Sequence, residues 1–99
     1  MVVGPAVVVV PPPELDLASA GQLEQEISNA YLAGAGKVTV DFAPVLFCDS
    51  SGLRVLVNAA QLARRRGVLF AVGNPARQLL KMASILGASA VLDLPPPPG

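Results

Sequence analysis

The sequence predicts a single α/β domain: a four- to five-stranded, mostly parallel sheet packed with about three to four helices. Three observations predict it. Short valine-rich runs alternate with longer segments of helical apolar spacing. Glycine or proline stands at nearly every change from one to the other. The chain has 99 residues, 53% of them hydrophobic but only 4% aromatic, which is enough for one aliphatic core and no second module.

Ala6–Val10 is a β-branched run and predicts the first strand, which Pro11-Pro12-Pro13 ends. Asp16 and Ser19 are candidate N-caps for a helix over Ala18–Ala33. Ala20, Leu23, Ile27, Ala30 and Tyr31 give that helix one apolar side. Gly34-Ala35-Gly36 stops it. Val38, Val40 and Phe42 alternate with Thr39 and Asp41, a strand pattern broken by Ala43-Pro44.

Val45–Cys48 is a second short apolar piece. It leads into Asp49-Ser50-Ser51-Gly52 and a helix over Ser51–Arg66. Leu53, Leu56, Val57, Ala60 and Ala63 form the apolar side of that helix, and Arg54, Asn58, Gln61 and Arg65 form a polar stripe. Arg64-Arg65-Arg66 complements the helix dipole, and Gly67 is the stop. Val68–Val72 is a continuous apolar run, which predicts a buried parallel strand. Asn74-Pro75 is a turn before a helix over Ala76–Leu86. Val91–Leu94 reads as a last short strand, and residues 95–99 as a proline-rich disordered tail outside a domain of residues 1–94.

Several chemistries are excluded. There is no histidine, so a Ser-His-Asp relay and His-ligated metal are both out, and one cysteine gives neither a disulfide nor a cysteine-based metal site. Net charge is zero, which disfavours nucleic-acid binding. Six acids and one base fall in residues 1–50, six bases and one acid in residues 51–99. No apolar run approaches the length of a membrane span, and the expected location is cytoplasmic. A phosphate-cradling Gly-x-x-x-x-Gly-Lys-Ser/Thr loop is absent, which weighs against a nucleotide-binding module.

The junction at Asp49-Ser50-Ser51-Gly52 carries the functional signal. Small polar groups at a helix start cap unpaired N–H groups. A hydroxyl there is also open to a kinase, and the added phosphate would bring a charge of about −1.5 to −2. Cys48, in an apolar run, reads as a packing residue.

PELDLASAGQLEQEI, VTVDFAPVLFCDSSGLRVLVNAAQLARRRGVLFAVGNP and ARQLLKMASILG together resemble the STAS domain, specifically the bacterial anti-sigma-factor antagonists, over roughly residues 6–94. The resemblance implies a STAS-like fold and a small non-enzymatic switch protein without a cofactor. It implies phosphorylation of Ser50 by a serine kinase that is also the anti-sigma factor. Unphosphorylated protein would bind that partner and release the sigma factor, regulating transcription in a stress response; a serine phosphatase would reset the switch. Asp16 would lie beside Ser50, and Asp49, Ser51, Gly52, Leu53, Arg54 and Asn58 would belong to the docking face. The protein would be a monomer or weak dimer with no nucleic-acid or membrane partner. Family members usually carry a further N-terminal strand, of which Met1–Pro5 is a poor remnant. The alternatives are a STAS subunit of another signalling or transport assembly, or a nucleotide-binding STAS module.

Overall fold

The computed structural model describes residues 4–98; Met1–Val3, most of the N-terminal remnant, and Gly99 lie outside them. In chain order the elements are β1 (Ala6–Val9), β2 (Glu14–Leu15), α1 (Leu17–Leu32), β3 (Lys37–Asp41), β4 (Phe47–Cys48), α2 (Ser50–Arg66), β5 (Leu69–Gly73) and α3 (Arg77–Ile85).

Among the described residues, five strands pair in parallel as a three-stranded sheet and a two-stranded ladder. A three-stranded sheet has the order β1-β3-β5, and β2 pairs with β4 in a separate two-stranded ladder. The register aligns Val7 with Val38 and Phe70, and Val9 with Val40 and Val72. Pleat alternation therefore sends these valines and Phe70 to the same face. Right-handed crossovers along the order β1-β3-β5 place α1 and α2 over that face, packed against each other. Val38, Val40, Leu23, Leu56 and Phe42 are essentially inaccessible between the layers. At roughly 25 cal/mol per Å² of apolar area removed from water, this interior is the main favourable term.

Two expectations are corrected. The run at residues 68–72 is a strand, but at the edge of the sheet; its residues are half-buried or exposed, and the buried central strand is β3. Its apolar run reflects packing under α2 on one side, not cover on both. Val91–Leu94 is not a strand. It coils into turns in which Leu92 N–H donates to Ala88 O (3.1 Å) and Leu94 N–H to Ser89 O (2.9 Å). Asp93 there takes a left-handed φ of 52°. A short apolar run fits either a strand or a turn that buries its side chains; here Leu92 is buried in the core with Leu94 packed against it, and the backbone is satisfied locally. Pro95–Pro98 follows without regular structure.

One long-range bond ties the two core helices. The buried Tyr31 hydroxyl on α1 donates to Ala59 O on α2 at 2.8 Å. Burial pushes the Tyr31 phenol up to about 12, and burial with the neighbouring Asp49 charge pushes the Cys48 thiol up to about 11. Both groups are neutral when protonated, and both ionise first in the unfolded chain. Their stabilisation is whole below the unfolded pKa values, about 9 for Cys48 and 10 for Tyr31, and lost as pH rises through the folded ones. Urea unfolding is therefore expected to show stability falling from about pH 9 upward. Tyr31→Phe should cost about 1 kcal/mol at pH 8 and flatten the part of the decline above pH 10. An unchanged alkaline slope in Tyr31→Phe would assign the decline elsewhere.

Candidate functional site: two helix starts side by side

The short β2/β4 ladder positions the site. Pro13 O accepts from Leu46 and Phe47 N–H, at 2.7 and 3.1 Å, and Leu15 O accepts from Asp49 N–H at 3.0 Å. Leu15 is in register with Cys48, so the next residues, Asp16 and Asp49, leave adjacent strand ends together. Each caps the helix it precedes. Asp16 Oδ1 accepts from Ala18 N–H (3.0 Å) and Ser19 N–H (3.2 Å), while Asp16 N–H donates to Ser19 Oγ (3.0 Å), a closed capping box. Asp49 Oδ1 accepts from Ser51 N–H (2.8 Å) and Gly52 N–H (3.3 Å). Each cap contributes about 1 kcal/mol.

Because Asp49 is the cap, the Ser50 hydroxyl is left outside that role. Ser50 is the first residue of α2 and is exposed; Ser51 is half-buried. Arg54 and Asn58 continue the exposed stripe one and two turns on. Gly52 and Leu53, expected on the docking face, are both buried. Helical periodicity turns them inward, where Gly52 lies against Leu15 and Cys48 and Leu53 joins the core. Asp16 stands at the start of the neighbouring helix, half-buried.

Ser50 opens onto a groove of about 390 Å³ between α2 and the turn after α3. Arg54, Val57, Gln61, Leu86 and Val91 line it, and Arg54 is the one charged residue of its described lining. Around the two helix starts, large apolar side chains stand in solvent: Leu17, Leu46, Phe47 and Leu86. Leu86 lines the groove with Ser50, and Leu46 and Phe47 come just before Asp49 in the chain.

Two participants were missed in the sequence. Glu14 and Leu15 form a strand of two residues, too short for any periodicity. Gln78 on α3 accepts from Cys48 N–H through its side-chain Oε1 at 3.0 Å, pinning α3 to the β4 end. A helical glutamine carries no signal for a partner thirty residues away.

A family model described as "Mlab, STAS domain" matches residues 7–94. The chain belongs to the STAS family. No curated protein matches it. Solved STAS-like structures do. SpoIIAA of Bacillus is described as a cell fate determinant in its phosphorylated form and as an anti-sigma factor antagonist in its unphosphorylated form. The phosphorylated form matches with a TM-score of 0.72 and 25% identity over 91% of this chain and 82% of that one. The unphosphorylated form matches with a TM-score of 0.74 and 25% identity over 91% and 79%. The protein TM1081, solved by NMR, has a TM-score of 0.76 at 21% identity over 91% and 74%, which shows the fold alone. The STAS fold here holds three helices among the described residues, and its strand pairings there are parallel. Among the described residues no helix is long and apolar enough to cross a membrane.

Proposed function

We propose that this STAS protein is an anti-sigma-factor antagonist switched by phosphorylation at Ser50. The observation that carries the reading is the exposed Ser50 at the start of α2, on a groove lined by Arg54 and the exposed Leu86. Unmodified, that surface docks an anti-sigma factor that is itself a serine kinase, and the sigma factor is freed. The kinase moves the γ-phosphoryl group of ATP to Ser50 Oγ; the bond to ADP breaks and the hydroxyl proton leaves. The new dianion is strongly hydrated, and burying it at an interface without partners is costly. Docking is lost until a serine phosphatase hydrolyses the ester. Asp16, Asp49 and Ser51 hold the junction in shape, and Arg54 and Asn58 face the partner. The domain itself performs no catalysis. Support comes from the likeness to SpoIIAA, known in phosphorylated and unphosphorylated forms.

The test is kinase pull-down with the wild-type protein, followed by phosphosite mass spectrometry. Phosphate is expected on Ser50 and on neither Ser51 nor Ser19. Phosphate elsewhere, with Ser50 unmodified by the bound kinase, would falsify the reading. A second reading, a STAS subunit of another signalling or transport assembly, is favoured by the family description, which names Mlab. Stable co-purification in a complex without ATP-dependent modification would select it.

A further inference from the structure

We propose that the Arg54 guanidinium pairs with the phosphate carried by Ser50, so that one modification both adds an anion and withdraws the groove's cation from the docking face. The proposal deepens the reading above and rests on Ser50 being the residue modified. Ser50 and Arg54 are four residues apart on α2 and line the same groove. At that spacing the two Cβ atoms are about 5–6 Å apart. Helical side chains lean back toward the N-terminus, so the long Arg54 side chain covers the turn where Ser50 stands. An anion N-terminal to a cation is also the favourable order for such a pair. The guanidinium fork matches phosphate oxygens in a bidentate pair.

The groove supplies no competing anion: its described lining holds Arg54 and no carboxylate. The nearest acid in sequence, Asp49, already accepts from Ser51 and Gly52 N–H. Other cations are placed elsewhere. Arg64–Arg66 lies in the last turn of α2, at least about 15 Å along the helix axis. Arg77 and Lys81 line a neighbouring groove along α3, which shares Leu86 with this one but not Ser50. The unmodified protein presents Arg54 to the partner, with Leu86 and Val91 below it. The modified protein turns that guanidinium onto its own phosphate.

The experiment needs no kinase. Phosphoserine is inserted at position 50 by an expanded genetic code, and the ³¹P resonance is followed against pH at low salt. A phosphoserine ordinarily titrates near about 6. The expected midpoint is about 0.5 lower in the wild-type background than in Arg54→Gln, with Arg54→Lys keeping most of the shift as a point charge. The difference should shrink in about 0.5 M salt. Asp49 is the same in all three proteins, so its repulsion cancels. Arg54 is exposed, and superimposable amide spectra of the unphosphorylated proteins would show the fold intact. Equal midpoints in wild type and Arg54→Gln overturn the pairing, whatever kinase assays on Ser50 return; a shifted midpoint supports the pairing, and cellular phosphate found only on another residue would overturn its use as a switch.

Discussion

Gly52→Val is expected to lower the melting temperature by about 15 °C. Gly52 is buried in the first turn of α2, over the β2/β4 ladder. A Cβ at this position would stand 2.7 Å from Leu15 Cγ, 2.8 Å from Cys48 Sγ and 2.9 Å from Leu15 Cδ2. Leu15 is completely buried and Cys48 nearly so, and Leu15 O is held by Asp49 N–H. Neither neighbour can retreat without parting the ladder that aligns both helix starts. Overpacking of this kind costs about 1–3 kcal/mol, occasionally more, and valine adds two methyl groups to the clash. For a domain of this size about 3 kcal/mol corresponds to a shift of roughly 12–24 °C.

Gly52→Ala separates packing from helix propensity. Alanine recovers about 1 kcal/mol of propensity over glycine, so its net loss should be smaller than that of valine. Thermal melts followed by circular dichroism check both. A valine protein that melts with wild type would show that α2 is free to lift off Leu15.

The same glycine shows how far the sequence could be read. The three helices were legible because each carries several turns of apolar spacing; for the caps the sequence offered Asp16 beside Ser19 and the Asp49–Gly52 run as a whole, and the structure selects the two aspartates. The Asp-Ser-Ser-Gly-Leu run was legible as a helix start, but its residues do not share one face. A helix does not keep neighbours on one face: Ser50, Arg54 and Asn58 point out while Gly52, Leu53 and Leu56 point in. The division of the sheet was not legible, since β2 exists only through bonds to Leu46, Phe47 and Asp49, more than thirty residues on. Residues 91–94 failed for a related reason: four apolar-rich residues do not specify a state, and the buried position of Leu92 does.

Ser50→Asp is expected to weaken binding to the cognate kinase by about 100-fold, with Ser50→Ala binding like wild type and resisting modification. A hundredfold loss corresponds to about 2.7 kcal/mol, within the penalty for seating an unpaired charge in a desolvated contact. Aspartate brings one negative charge on a short side chain; phosphoserine brings nearly two on a longer one. The expected order of affinity is therefore alanine and serine together, then aspartate, then phosphoserine. Stability runs the other way. A carboxylate in the first turn of α2 is favoured by the helix dipole by about 0.3–1 kcal/mol, so Ser50→Asp should melt no lower than wild type. That opposition separates loss of docking from loss of fold. Calorimetric titration against the kinase, paired with thermal melts, reads both quantities on the same samples. If the aspartate protein binds as tightly as wild type, charge at this hydroxyl does not control docking, and the exposed apolar cluster around it serves some other contact.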